Sequence, residues 1–167
     1  MTAPVGIIMG SASDSETMNN CVETLEEHNI AFDIIVASAH RDPEKVRMWV
    51  NSAWSRGNKV IIAAAGMSAA LPGVVAAYTD LPVIGVPMKS DLGGLDSLLS
   101  ISQMPRGVPV ACMSIGKHGA INAALFAKRI LDSSKPDSYT KQAKDYARDR
   151  KNRTYPGDHD QDLWRDD

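Results

Sequence analysis

The residues able to do chemistry cluster at a few places in this chain, each directly after an apolar run. Gly10-Ser11-Ala12-Ser13-Asp14 places two hydroxyls and a carboxylate after the run at 5–9. Small residues let a backbone approach a ligand closely, and a helix N-terminus favours an anion such as phosphate. The hydroxyls of Ser11 and Ser13 suit phosphate oxygens. Asp14 would repel a phosphate and suits a ribose diol instead. The plainer alternative is that Ser13 and Asp14 cap the following helix. Ser38-Ala39-His40-Arg41-Asp42-Pro43 follows the run at 32–37. Histidine is the side chain suited to proton transfer near neutral pH, and arginine to bidentate recognition of phosphate. A hydrogen-bonded loop histidine is the alternative for His40.

Two further segments have the same placement, and a third precedes the last apolar run. Ala65-Gly66-Met67-Ser68-Ala69-Ala70-Leu71-Pro72-Gly73 holds no acid, base or nucleophile beyond Ser68. A loop this small can wrap a planar ligand with backbone amides, or simply allow tight helix–sheet packing. Residues 87–94, containing Lys89 and two adjacent glycines, read as a flap or as a solvated loop. Gln103-Met104-Pro105-Arg106-Gly107-Val108-Pro109 reads as a rigid turn, with Arg106 as a surface charge or a ligand contact. His28 falls near a helix end, His118 in a loop before the last helix and His159 in an acidic tail, so the four histidines lack metal-ligand spacing. Neither GxxxxGK[ST] nor GxGxxG occurs, so ATP and dinucleotide binding have no local support.

The elements that must position these residues follow from periodicity. Runs at 5–9, 32–37, 60–65, 82–86 and 108–115 read as strands, most of them apolar on both faces. Between them, Met18, Cys21, Val22 and Leu25 share one helical face, and Ser13 with Glu16 has capping-box spacing. Asp42-Pro43 starts a second helix through Val46, Trp49, Val50, Ala53 and Trp54, which Gly57 stops. Further helices are expected at 72–78, around Leu95, Leu98 and Leu99, and at 120–131. The alternation predicts an α/β domain of three layers: a flavodoxin-like parallel sheet with helices on both faces. Ligands bind such sheets at the carboxyl ends of the strands, where the segments beginning at Gly10, Ser38, Ala65 and Pro87 lie.

With 167 residues, 18 Lys+Arg and 20 Asp+Glu, the chain has the size of one domain and no general basic field, which argues against nucleic acid as partner. The expected organisation is a catalytic domain over 1–132. A polar helix and acidic tail then fill 133–167, with a linker at 134–137, a helix at 139–150 and Trp164 as a surface aromatic or subunit contact. No apolar run reaches the roughly 20 residues of a membrane span, and the first residues lack the features of a signal peptide. Cys21 and Cys112 read as buried free thiols of a reducing compartment. Trp49 and Trp54 read as core or subunit contacts.

Taken in order, the segments beginning at Gly10, Ser38, Ala65 and Gln103 resemble the N5-carboxyaminoimidazole ribonucleotide mutase family, the catalytic subunit of phosphoribosylaminoimidazole carboxylase. The resemblance runs from about Val5 to about Leu131. It implies a cytoplasmic homo-octamer of purine biosynthesis with no metal or organic cofactor, supplied with substrate by a separate ATP-dependent synthetase. It implies His40 as the proton-transferring residue. The substrate-binding set it implies is Ser11, Ser13, Asp14, Ser38, Ala39, Arg41, Ala65, Gly66, Ala70 and Leu71.

The family has two classes. One moves a carboxylate from an exocyclic nitrogen to a ring carbon of the same imidazole, and the other adds free CO2 to the unmodified aminoimidazole ribonucleotide. The segments around His40 and Arg106 look like the mutase class. Ala70 departs from it, because many mutases carry a histidine there. A non-catalytic flavodoxin-like nucleotide or flavin binder is the reading from another class. The absence of aromatic residues from the expected ligand loops counts against a flavin.

Overall fold

A computed structural model describes residues 2–133. The linker, polar helix and acidic tail expected beyond Ser133, with His159 and Trp164, lie outside the described residues. Five strands form one parallel sheet: β1 (Val5–Met9), β2 (Phe32–Val36), β3 (Val60–Ala65), β4 (Val83–Pro87) and β5 (Ala111–Cys112). Their order is β2-β1-β3-β4-β5, the flavodoxin-like order. Among the described residues six helices connect and cover them: α1 (Ser15–Glu27), α2 (Pro43–Asn51), α3 (Ala53–Arg56), α4 (Leu71–Ala77), α5 (Leu95–Ser102) and α6 (Lys117–Ser133).

The strands alternate their side chains between two separate cores. Val5, Ile7, Met9, Val60, Ile62, Ala64, Ile84 and Val86 face Met18, Cys21 and Leu25 of α1 and Ala120, Ala123, Ala124 and Ala127 of α6. Ile8, Ile61, Ala63 and Val83 face Val46 and Val50 of α2, Ala53 of α3, Leu71 and Val75 of α4 and Ile101 of α5. Every residue of β1, β3 and β4 is buried, as expected of central strands covered on both faces. The alanine face of α6 packs inside the domain. Its small side chains let the helix approach the sheet closely.

Several local readings are revised. The expected strand at 108–115 shrinks to Ala111–Cys112, paired with Ile84 and Gly85 of β4. Pro109 has no N–H for a ladder, and the Val108 amide is turned back to the Pro105 carbonyl at 3.2 Å. The capping box lies two residues earlier than its spacing suggests. Ser11, not Ser13, caps a 3-10 turn (Ala12–Asp14) that leads into α1, and Asp14 closes the box. Leu95 and Leu99 of α5 are exposed, and the helix buries Ser97 and Ile101 instead. His118 sits in the first turn of α6 rather than in a loop. Cys112 is only half-buried, and Trp54 is exposed. Asp42 caps α2 through the Lys45 amide, and Gly57 ends α3 at φ 89°.

Candidate active site

The chain passes from β1 outward to β2, then returns past β1 to β3, so the strand order reverses between β1 and β3. A glycine directly follows each of those strands, Gly10 and Gly66, and a cleft of about 680 Å³ opens there. Four strand-end segments line it. All eleven residues expected at a site reach this cleft: Ser11, Ser13 and Asp14; Ser38, Ala39, His40 and Arg41; Ala65, Gly66, Ala70 and Leu71.

The first segment is held by its own polar groups. The Ser11 amide donates to Asp14 Oδ2 at 3.2 Å, and Ser11 Oγ accepts from the Ser13 amide at 3.3 Å and from Ser13 Oγ at 2.8 Å. These residues therefore both cap the turn and face the cleft. Partial burial raises the Asp14 carboxyl above its ordinary value of 3.8, and the Ser11 hydrogen bond offsets only part of that effect.

The second segment is anchored where β2 ends. The Ala37 amide donates to the Met9 carbonyl at 2.9 Å, continuing the β1–β2 ladder. Ser38 then closes a turn: its carbonyl accepts from the Asp42 amide at 2.9 Å, and its Oγ accepts from the Arg41 amide at 3.3 Å. This turn leaves the His40 and Arg41 side chains exposed on the cleft. Arg41 Nη2 donates to the Gly10 carbonyl at 3.3 Å and so bridges the first two segments.

The third segment is tightly folded. The Ala69 amide reaches the Met67 carbonyl at 2.8 Å, and the Ala70 amide reaches Ser68 at 2.6 Å. Met67 takes a left-handed backbone, φ 57°, which costs a residue with a Cβ about 1–2 kcal/mol. Strain of this kind collects at functional sites, held in place by the surrounding structure. The segment adds no titratable side chain, so a planar ligand against it meets backbone and methyl groups.

The fourth segment was legible only as a flap or solvated loop, yet it brings Lys89, Ser90 and Asp91 to the cleft. The available signal was that Lys89 comes two residues after the end of β4. Arg106 and His118 do not line the cleft. The neighbours of Arg106, Gly107–Pro109, line a different cavity with Tyr78 and Phe126. Among the described residues no Phe, Tyr or Trp lines the first cleft, so it lacks the large aromatic side chains that usually stack on a flavin.

Chemically, the described residues of the cleft combine one imidazole, two cationic side chains, a hydroxyl pair beside the Asp14 carboxylate, a second carboxylate at Asp91, and an apolar wall. Among the described residues no group of three or more His, Cys, Asp or Glu could hold a metal ion.

Comparison with known proteins gives a consistent pattern. A family model described as AIR carboxylase matches residues 4–153. The N5-carboxyaminoimidazole ribonucleotide mutase of Bacillus subtilis is 56% identical over 134 residues, which cover 80% of this chain and 83% of that protein. The mutase of Pyrococcus abyssi is 51% identical over 148 residues, 88% of this chain and 83% of that protein. The crystal structure of Treponema denticola PurE matches with a TM-score of 0.70 at 30% identity, covering 88% of this chain and 90% of that one.

Proposed function

The chain belongs to the AIR carboxylase family, and from that membership we infer that it is an N5-carboxyaminoimidazole ribonucleotide mutase, an isomerase of purine biosynthesis. It moves a carboxylate from the exocyclic nitrogen to a ring carbon, giving 4-carboxy-5-aminoimidazole ribonucleotide. The observation that carries this reading is the meeting of His40 and Arg41 with Ser11, Ser13 and Asp14 around one cleft whose remaining wall is small and apolar. The mutase names of relatives about half identical to the chain support the class.

In this reading Arg41, Ser11 and Ser13 hold the phosphate, and Asp14 accepts from the ribose hydroxyls. Ser38, Ala39, Ala65, Gly66, Ala70 and Leu71 enclose the imidazole. Protonated His40 delivers a proton to the exocyclic nitrogen as its bond to the carboxylate carbon breaks. The bonding pair stays on nitrogen, and CO2 is released beside an electron-rich aminoimidazole. The ring carbon attacks that CO2 and forms the new carbon–carbon bond. Neutral His40 then removes the proton from the same ring carbon, which restores the aromatic ring and the starting protonation state. Atoms and charge balance without a co-reactant. The apolar wall keeps water away and CO2 in place, and the protein contributes positioning and one acid/base group.

The assembly proposed is a homo-octamer in the cytoplasm, with a separate ATP-dependent synthetase supplying the carbamate. Exposed Met48, Trp54, Leu92, Leu95 and Leu99 support burial against other subunits. The free thiols of Cys21 and Cys112 suit a reducing compartment.

The test is to offer the carbamate ribonucleotide and, separately, aminoimidazole ribonucleotide with CO2, and to follow the 4-carboxy product. Product from the carbamate is expected. Efficient turnover of the second pair with the carbamate ignored would assign the chain to the CO2-using class instead.

A further inference from the structure

A carboxylated aminoimidazole ribonucleotide carries two anionic groups at opposite ends, the phosphate and the migrating carboxylate. Arg41 is tied to Gly10, at the end of β1, where the phosphate is assigned. Among the described residues the other cation on the cleft is Lys89, two residues after β4. Its backbone adjoins the loop that wraps the base: a Cβ built on Gly66 would lie 3.9 Å from the Lys89 carbonyl oxygen.

The root of this lysine is fixed on both sides. Met88, which is 3% exposed, donates its amide to the Ala65 carbonyl at 2.9 Å and accepts from the buried Ser97 hydroxyl at 2.6 Å. On the other side Ser90 Oγ donates to Asp96. Lys89 Cε lies 3.9 Å from where a Cβ on Gly116 would stand, so the stem of the lysine runs past that glycine. Among the described residues the ion pairs are Arg47–Glu44 and Arg56–Asp33, and Lys89 belongs to neither. It shares the cleft with Asp91 without pairing to it.

We propose that Lys89 recognises the migrating carboxylate, an inference that rests on the mutase reading. Its ammonium is a compact point charge on a flexible stem. It can pair with the carboxylate on nitrogen and again on the neighbouring ring carbon, a change in position that a rigid planar fork follows less well. Lys89 is therefore a substrate-recognition residue, separate from the proton transfer at His40.

The experiment compares calorimetric binding of 4-carboxy-5-aminoimidazole ribonucleotide and of uncarboxylated aminoimidazole ribonucleotide to the wild-type chain and to Lys89→Met and Lys89→Arg. Losing a hydrogen bond to a charged group predicts about tenfold weaker binding of the carboxylated ligand to Lys89→Met. Affinity for the uncarboxylated ligand should stay unchanged, and Lys89→Arg should retain part of the discrimination. Equal losses on both ligands, or no loss on either, would overturn the role of Lys89 while leaving the mutase reading in place. A wild-type chain that binds neither ribonucleotide would overturn both.

Discussion

The Arg41 guanidinium donates to the Gly10 carbonyl at 3.3 Å, across 31 positions of sequence. The bond ties the ends of β1 and β2 together and sets the arginine beside the Ser11–Asp14 turn. Because a carbonyl takes one donor of the fork, the remaining N–H groups are available for a ligand's phosphate.

Arg41→Ala is expected to weaken ribonucleotide binding by about tenfold or more, since hydrogen bonds to charged groups contribute about 1.5–3 kcal/mol. The loss should fall equally on carboxylated and uncarboxylated ligands, because both carry the phosphate. Steady-state KM and direct affinity check it, and unchanged values would remove Arg41 from the phosphate site.

Asp14 sets ligand binding against stability. Its carboxyl is raised above 3.8, chiefly by burial, so the folded chain holds that proton more tightly than the unfolded one. Ionisation then disfavours the fold: stability falls as pH rises from the ordinary carboxylate value through the raised one, and the whole cost is present at pH 7. Asp14→Asn keeps an oxygen for the Ser11 amide without the charge. It is expected to match or exceed the wild-type Tm at pH 7, with the difference closing as pH falls toward 3.8, while ribonucleotide affinity drops. A variant that melts well below wild type at pH 7 would contradict this account.

Cys21 is fully buried among α1, β1 and α6, and burial pushes its thiol up to about 12. The thiolate is the reactive form. The folded chain should therefore leave Cys21 unmodified by iodoacetamide at pH 8, and denaturant should expose it. Mass mapping of the labelled peptide reads the result. Rapid labelling of Cys21 in the folded state would show an opening of α1 from the sheet.

What could be read in advance depended on how local each signal was. β1 and β3 are legible to the residue because a central strand is apolar throughout and a glycine directly follows each of them. β5 is not, because 108–115 has the composition of a strand while its ladder depends on Pro109 and on having β4 as its one neighbour. The capping box is misplaced by spacing alone, since Ser-x-x-Glu fits α1 but the chain enters that helix through an extra 3-10 turn. The cleft is legible because the strand-end rule for parallel sheets locates it before any side chain is placed. Lys89 is not, because a lysine in a glycine-rich loop looks the same in sequence whether it faces a ligand or water.

His40 is the group on which the chemistry is proposed to turn. It lines the cleft beside Arg41, and the Ala65–Leu71 wall supplies no other proton carrier. Asp14 and Arg41 are assigned to ribose and phosphate, and Lys89 to the carboxylate. Proton transfer by a positioned side chain contributes about 10²–10⁴-fold. His40→Asn keeps similar size and some hydrogen bonding but cannot shuttle a proton. Its kcat for carboxylate transfer should fall by at least about 10²-fold. Ligand affinity should stay near normal, because binding rests on Ser11, Asp14 and Arg41. The measurement pairs kcat with affinity on a variant whose Tm shows it folded. Near-normal turnover would make His40 a structural loop residue and direct the search to His118, although that side chain lies outside the cleft. Affinity lost together with turnover would instead place His40 among the binding groups.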